Sequence, residues 1–154
     1  MKRTEWAFLI LRVVVGLSFI FFGGQKLFGL FGGPGFQGWS GFVQGMGGIP
    51  GFLKPLTIYL VPVFEFFGGL FVLVGFLTRW SALALVLVMI GAILFVNFPK
   101  GFYNPQGGGW VLPLTFLAMS LAILLGEHRY TLDETLFKGG QASSAGSSSG
   151  AAES

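Results

Sequence analysis

Four long apolar runs dominate the pattern of hydrophobic and polar positions along this chain. They lie at about residues 7–31, 55–77, 80–98 and 110–126, and polar or glycine-rich stretches separate most of them. A bilayer core about 30 Å thick takes about 20 helical residues to cross, and the fourth run lies near the lower limit of that range. Lipid requires each spanning segment to pair its own backbone groups, so the runs predict an all-α integral membrane four-helix bundle.

The composition agrees with a membrane protein. Of the 154 residues, 53% are hydrophobic and only 10% are charged, whereas about a quarter of the residues of an average soluble protein are charged. The net charge of +3 comes from Lys and Arg residues that are scattered singly, so nucleic-acid binding is not expected. Cysteine is absent and the single histidine, His128, follows the last run. Disulfides, metal sites and haem ligation within the chain are therefore not expected.

The four runs also predict a topology. An even number of spans places both termini on the same side of the membrane. That side would carry more Lys and Arg residues than the other, so the positive-inside rule favours cytoplasmic termini. The basic residues on the terminal side are Lys2, Arg3, Arg79, Arg129 and Lys138, and those on the opposite side are Lys26, Lys54 and Lys100.

The chain divides into a membrane part and a tail. Residues 1–138 are expected to form the transmembrane domain, and residues 139–154, rich in Gly, Ser and Ala, a disordered tail. The N-terminus has the charge pattern of a signal peptide but no small-residue cleavage site, which predicts a retained helix. The loops after the first and third runs are rich in Gly and Pro but keep Phe and Trp, so they are expected to lie on the membrane surface or dip into it.

Small residues recur at heptad spacing inside the runs, where they let helix backbones approach closely. This pattern predicts a compact left-handed bundle. The glycines assigned to helix packing are Gly16, Gly23, Gly68, Gly75 and Gly91.

Three charged residues interrupt the apolar runs. Arg12 is expected to snorkel, with its stem buried and its guanidinium in the headgroup region. If the first helix ends at Gly24, Lys26 is only a boundary residue. If it continues to Phe31, Lys26 and Glu65 lie level in adjacent helices. The second arrangement is preferred and predicts an intramembrane ion pair, because each charge shares a helical face with packing glycines. Two interpretations stay open, a pair that only fixes helix register and a pair that binds a ligand.

Two amide side chains could extend such a site. Gln25 precedes Lys26, and Asn97 lies near the end of the third run. The predicted ligand-binding set is therefore Gln25, Lys26, Glu65 and Asn97.

Three segments resemble the DoxX family. "RVVVGLSFIFFGGQKLFG" is similar to its first helix, "FEFFGGLFVLVGFLTRWSAL" to its second, and "HRYTLDETL" to the polar stretch after its last helix. The resemblance implies a four-helix bundle in the bacterial inner membrane. Gln25, Lys26, Glu65, Thr78 and Arg79 match the recurring polar positions of the family. One departure is Trp110, which stands where many members carry an acidic residue.

The resemblance also implies a functional context. The family takes its name from subunits associated with a thiosulfate:quinone or terminal quinol oxidase, and other members are linked to sulfur-transfer and oxidative-stress enzymes. We therefore expect a membrane subunit or anchor of a quinone-linked redox system, not an enzyme on its own. It would have redox or sulfur-transfer partners, a quinone headgroup near Lys26 and Glu65, and no intrinsic cofactor. Alternatives are small-molecule or lipid transport and a purely structural assembly factor, and a homo-oligomer is left open.

Overall fold

A computed structural model describes residues 3–106 and 108–126, and within these ranges the regular elements are helical. His128, the polar stretch after the last run and the predicted tail lie outside the described residues. The α-helices are α1 (Arg3–Phe28), α2 (Gly35–Gly45), α3 (Lys54–Val74), α4 (Thr78–Gly91) and α5 (Val111–Leu125). A π-helical segment, Ala92–Asn97, continues α4, and short 3₁₀ turns lie at Leu30–Gly32, Gly51–Leu53 and Phe98–Lys100.

Three stretches are long and apolar enough to cross a bilayer. They are Arg3–Phe28, Gly51–Val74 and Thr78–Lys100. The fourth predicted run forms α5, a shorter apolar helix of 15 residues. The chain is therefore a helical membrane protein, and its main helix contacts form a ring in which α1 packs on α3, α3 on α4, α4 on α5 and α5 on α1.

The first helix ends earlier than the apolar run predicts. Its last residue is Phe28, because Gly29 adopts a left-handed conformation at φ +67° and breaks the helical path. The expectation that this helix continues to Phe31 is therefore wrong. Lys26 nevertheless lies within α1, in its last turn. The predicted ion pair requires only that the helix include Lys26.

The sequence pattern did not predict α2. Four of its eleven residues are glycines, and the two in its interior, Gly38 and Gly41, each cost about 1 kcal/mol relative to alanine. Packing compensates, because Trp39 and Val43 lie four residues apart on one face and are buried in a cluster with Ile49 and Ile58. We refer to the end of the bundle that carries α2 as the α2 end.

Glycines bring α1 and α3 into close contact. A methyl group added at Gly16 would lie 2.9 Å from the carbonyl oxygen of Gly69, and one at Gly23 would lie 2.7 Å from Cα of Phe66. Gly69 is equally restricted, at 2.8 Å from the backbone N of Ile20. Backbone atoms cannot move aside as a flexible side chain can, so only glycine fits at these positions.

The remaining predicted packing glycines differ in role. Gly68 packs against Leu85 of α4, where an added methyl group would lie 3.1 Å from its Cδ2. Gly75 instead ends α3 in a left-handed conformation at φ +77°. The prediction that Gly91 packs against a neighbouring helix is wrong, because nothing lies within 4 Å of a methyl group placed there.

The expectation that Arg12 snorkels to the headgroups is also wrong. Its side chain is only 5% exposed. Nε donates to the carbonyl oxygen of Val72 at 3.1 Å, and the guanidinium also donates to that of Leu73 at 3.5 Å. The last carbonyls of a helix lack intrahelical partners and carry partial negative charge. Arg12 is therefore held by the C-terminus of α3.

Replacing Arg12 with methionine should destabilise the bundle. The variant leaves buried carbonyl oxygens without their donor, and hydrogen bonds to a charged group contribute about 1.5–3 kcal/mol each. We expect a loss of about 2–3 kcal/mol, measured as a lower midpoint of thermal unfolding in mild detergent. Arg79→Met is the matched control, since Arg79 is exposed. Equal midpoints for both variants would contradict the capping role.

Candidate functional site

A cavity of about 700 Å³ lies inside the α2 end of the bundle. Its walls come from α3, from α4 with its π-helical continuation and from the start of α5, while α1 contributes two residues, α2 contributes Trp39, and the segment between α2 and α3 contributes Ile49 and Leu53. Most of the lining side chains are aliphatic or phenyl. Cavities of about 300–1,000 Å³ with mainly apolar walls and few polar groups are typical small-molecule sites. The polar side chains on its wall are Lys26, Trp39, Thr57, Glu65 and Asn97.

Lys26 and Glu65 form an ion pair across the α1–α3 contact. Nζ of Lys26 donates to Oε2 of Glu65. Glu65 is 3% exposed and Lys26 is 20% exposed, so the carboxylate is the more deeply placed partner. Both side chains line the cavity. The structure thus brings together the two charges that the sequence analysis paired, and it places them on the wall of an apolar space.

Trp39 is a third member of the site, and the sequence analysis did not identify it. Nζ of Lys26 lies 4.9 Å from the centroid of its ring, within the range of a cation–π interaction. The indole Nε1 donates to the carbonyl oxygen of Ile58 at 3.2 Å, which fixes α2 against α3. The available signal was the i, i+4 pair of Trp39 and Val43 in a segment otherwise made of Gly, Phe, Ser and Gln.

The two predicted amides have different positions. Asn97 lines the cavity at the end of the π-helical segment, and its Nδ2 donates to the carbonyl oxygen of Ala92 at 3.0 Å. π-helical turns occur often at functional sites. Gln25 does not line the cavity, and its Cβ lies against Gly33 in the segment after α1. Of the predicted ligand-binding residues, Lys26, Glu65 and Asn97 therefore line the cavity, and Gln25 does not.

The two other polar residues that match the recurring positions of the family, Thr78 and Arg79, lie away from the cavity. Thr78 is buried and Arg79 is exposed in the first turn of α4. This turn follows the C-terminal end of α3, where Arg12 binds. Neither residue lines the cavity.

The arrangement suits a ligand with one polar group. The Lys26 ammonium carries three N–H donors, one of which is directed to Glu65, and the Glu65 carboxylate offers acceptors. Within residues 3–106 and 108–126, no group of three or more His, Cys, Asp or Glu side chains could hold a metal ion. The Lys26–Glu65 pair supplies hydrogen bonding and charge at the wall of a mainly apolar cavity.

Comparisons with known proteins identify similar chains. The DoxX family model matches residues 7–98. A protein of Bacillus subtilis (strain 168) named "Putative oxidoreductase CatD" is 31% identical over 140 residues, which cover 90% of this chain and 92% of that protein. "Inner membrane protein YqjF" of Escherichia coli (strain K12) is 38% identical over 102 residues, 65% of this chain and 70% of that protein. No solved structure matches. The matches and the apolar helices identify a multi-pass protein of the bacterial inner membrane.

Proposed function

We propose a function for this chain, which belongs to the DoxX family. It is a membrane subunit of a quinone-linked redox system, and its cavity binds a quinone headgroup. The observation that carries the proposal is the position of the Lys26–Glu65 pair on the wall of an apolar cavity of about 700 Å³. A quinone has a flat apolar ring with carbonyl acceptors. Lys26 would donate to one carbonyl, and the ring would lie among the apolar walls beside Trp39.

The similarity to a protein named as an oxidoreductase supports a redox context. The chain itself supplies binding and orientation in this proposal, and electron transfer belongs to partner proteins of a sulfur or oxidative-stress pathway. The site residues are consistent with a chain that binds a quinone and leaves electron transfer to partner proteins. They provide hydrogen bonds and charge, and a quinone would supply the redox chemistry when bound.

Tryptophan fluorescence provides a direct test. Menadione, a quinone without a tail, quenches nearby indole rings. We expect saturable quenching of the purified protein in mild detergent, with most of the signal lost in Trp39→Phe because Trp39 lines the cavity and is 8% exposed. Trp80→Phe is the matched control, since Trp80 is 71% exposed and does not line the cavity. The double variant Lys26→Met with Glu65→Gln should bind about tenfold or more weakly, as expected for loss of a hydrogen bond from a charged donor.

Two results would contradict the proposal. Quenching that rises linearly without saturation would mean that menadione only dissolves in the micelle. Saturable quenching that persists unchanged in Trp39→Phe would place the quinone away from this cavity. If the Lys26–Glu65 pair has only a structural role, quenching should rise linearly without saturation. The transport alternative would be favoured by a phospholipid that co-purifies in stoichiometric amount and is not displaced by menadione.

We also propose that α1, α3, α4 with its continuation and α5 all cross the membrane, with both termini in the cytoplasm and the α2 end facing outward. The count of basic residues supports this topology.

The chain contains no cysteine, so single introduced cysteines report the side of the membrane without background labelling. In intact spheroplasts, a membrane-impermeant maleimide should label Gly41→Cys on the exposed face of α2 and should not label Ser148→Cys. Labelling of Ser148→Cys but not of Gly41→Cys would show the opposite topology. Labelling of both variants would exclude the four-span arrangement.

A further inference from the structure

The cavity opens sideways between α3 and α4. The two helices are in close contact where Gly68 of α3 meets Leu85 of α4. Toward the α2 end, Gly91 of α4 lines the cavity, and nothing lies within 4 Å of a methyl group placed there. Residues of both helices line this part of the cavity, with Leu60 and Phe64 on α3 and Leu87 and Gly91 on α4. We refer to the gap between them as the α3–α4 cleft.

The walls of the α3–α4 cleft reach the lipid-facing surface of the bundle. Phe64 and Leu60 follow Gly68 along one side of α3 at spacings of four residues, and both line the cavity while remaining 41% exposed. On α4, Leu87 lines the cavity and is 61% exposed. Side chains that line a cavity and are also exposed on an apolar helix surface mark an opening toward the hydrocarbon of the bilayer.

Apart from Asn97 at the end of the π-helical segment, the side chains of the cleft wall offer a ligand mainly apolar contacts. Thr57, the hydroxyl-bearing residue on this part of the wall, already donates to the carbonyl oxygen of Leu53 at 2.9 Å. The charged groups of the cavity wall are Lys26 and Glu65, which pair between α1 and α3. A ligand that fills both regions must be polar at one end and hydrocarbon at the other.

We propose that the α3–α4 cleft is a subsite for the hydrocarbon tail of the ligand and its entry path from the bilayer. The ligand class is then a membrane-dissolved molecule with a single polar head and a flexible apolar chain. This inference rests on the proposed function, because the quinone ring is taken as the head that reaches Lys26. It adds that the ligand enters from lipid and remains threaded between the two helices while its head is bound.

Glycine substitutions test the subsite. Gly91→Leu places an isobutyl group where the cleft is empty, and Gly41→Leu makes the same change on the exposed face of α2, where nothing lies within 4 Å either. The probes are menadione and its counterpart with a short prenyl chain, and the readout is Trp39 quenching in mild detergent. Wild-type protein and Gly41→Leu should bind both probes. Gly91→Leu should bind menadione within about twofold of wild type and the prenylated quinone at least about tenfold more weakly.

A second variant narrows the cleft from the opposite wall. Leu60→Phe enlarges a side chain on α3 without adding an indole, and it should show the same selective loss of the prenylated probe, so the test does not depend on one fold-sensitive position. Undiminished binding of the prenylated quinone in both variants would overturn the tail subsite. So would an equal loss of both probes, because the cleft would then not be separable from the head site. If wild-type protein binds menadione but not the prenylated quinone, the tail subsite fails while the proposed function stands. If wild-type protein binds neither, both fail.

Discussion

Gly23→Leu should prevent formation of a stable bundle. A methyl group at this position would already lie 2.7 Å from Cα of Phe66, so a larger side chain must push α1 and α3 apart along their whole contact. Overpacking of a well-packed interior costs about 1–3 kcal/mol and sometimes more, and here the obstacle is backbone, so we expect about 3 kcal/mol or more. Size-exclusion chromatography in mild detergent should show aggregated protein, and Gly23→Ala should lie between wild type and Gly23→Leu in thermal stability.

Gly41→Leu is the control for this prediction. Gly41 also lies within a helix, but a side chain there would meet nothing within 4 Å. Leucine has a better helix propensity than glycine by about 0.8–1 kcal/mol, so this variant should be as stable as wild type or slightly more stable. A monodisperse Gly23→Leu protein with an unchanged unfolding midpoint would show that α1 and α3 are not in the close contact described above.

Single substitutions of the ion pair should be more damaging than the double substitution. Lys26→Met leaves the Glu65 carboxylate, 3% exposed, without its partner, and Glu65→Gln leaves the ammonium without its counter-charge. Breaking a buried pair costs about 3–5 kcal/mol in soluble proteins, because a lone charge remains in a low-dielectric environment. In the double variant no lone charge remains, so its loss of stability should be smaller than the sum of the two single losses.

The measurement is a double-mutant cycle of thermal unfolding in mild detergent. Strictly additive losses would show that the two residues do not interact. Function then distinguishes the two interpretations of the pair. A stable double variant that restores the phenotype of a deletion strain would make the pair structural, and a stable double variant that fails to do so would make it a binding site.

The long apolar helices and the two paired charges could be predicted from sequence, for identifiable physical reasons. Spans follow from the length of apolar runs, which does not depend on distant contacts. The meeting of Lys26 and Glu65 could be inferred because each shares a helical face with glycines, and glycines that admit a neighbouring backbone also bring neighbouring side chains together. The register of two helices is in this case encoded by residues that lie within each helix.

The features that sequence reasoning missed depend on tertiary contacts. Arg12 has the sequence signature of a snorkelling residue, and only the position of the α3 C-terminus shows that it caps the carbonyls of Val72 and Leu73. Trp39 lies in a segment of four glycines whose helix is maintained by burial. Gly91 has the heptad spacing of a packing residue, but nothing lies within 4 Å of a methyl group placed there. Spacing alone cannot distinguish a glycine that admits a neighbour from one that leaves a cavity.

The short length of α5 has a consequence for the surrounding membrane. A helix of 15 residues extends about 22 Å at 1.5 Å per residue, whereas the hydrocarbon core is about 30 Å thick. If α5 crosses the membrane as proposed, it produces hydrophobic mismatch, and the lipids beside it must compress or the flanking residues must extend into the headgroup region. The three long apolar stretches are long enough for an ordinary bilayer, so this thinning would be confined to the side of the molecule that carries α5. The protein would then favour thinner membrane regions and orient that side toward partners with a similarly short span.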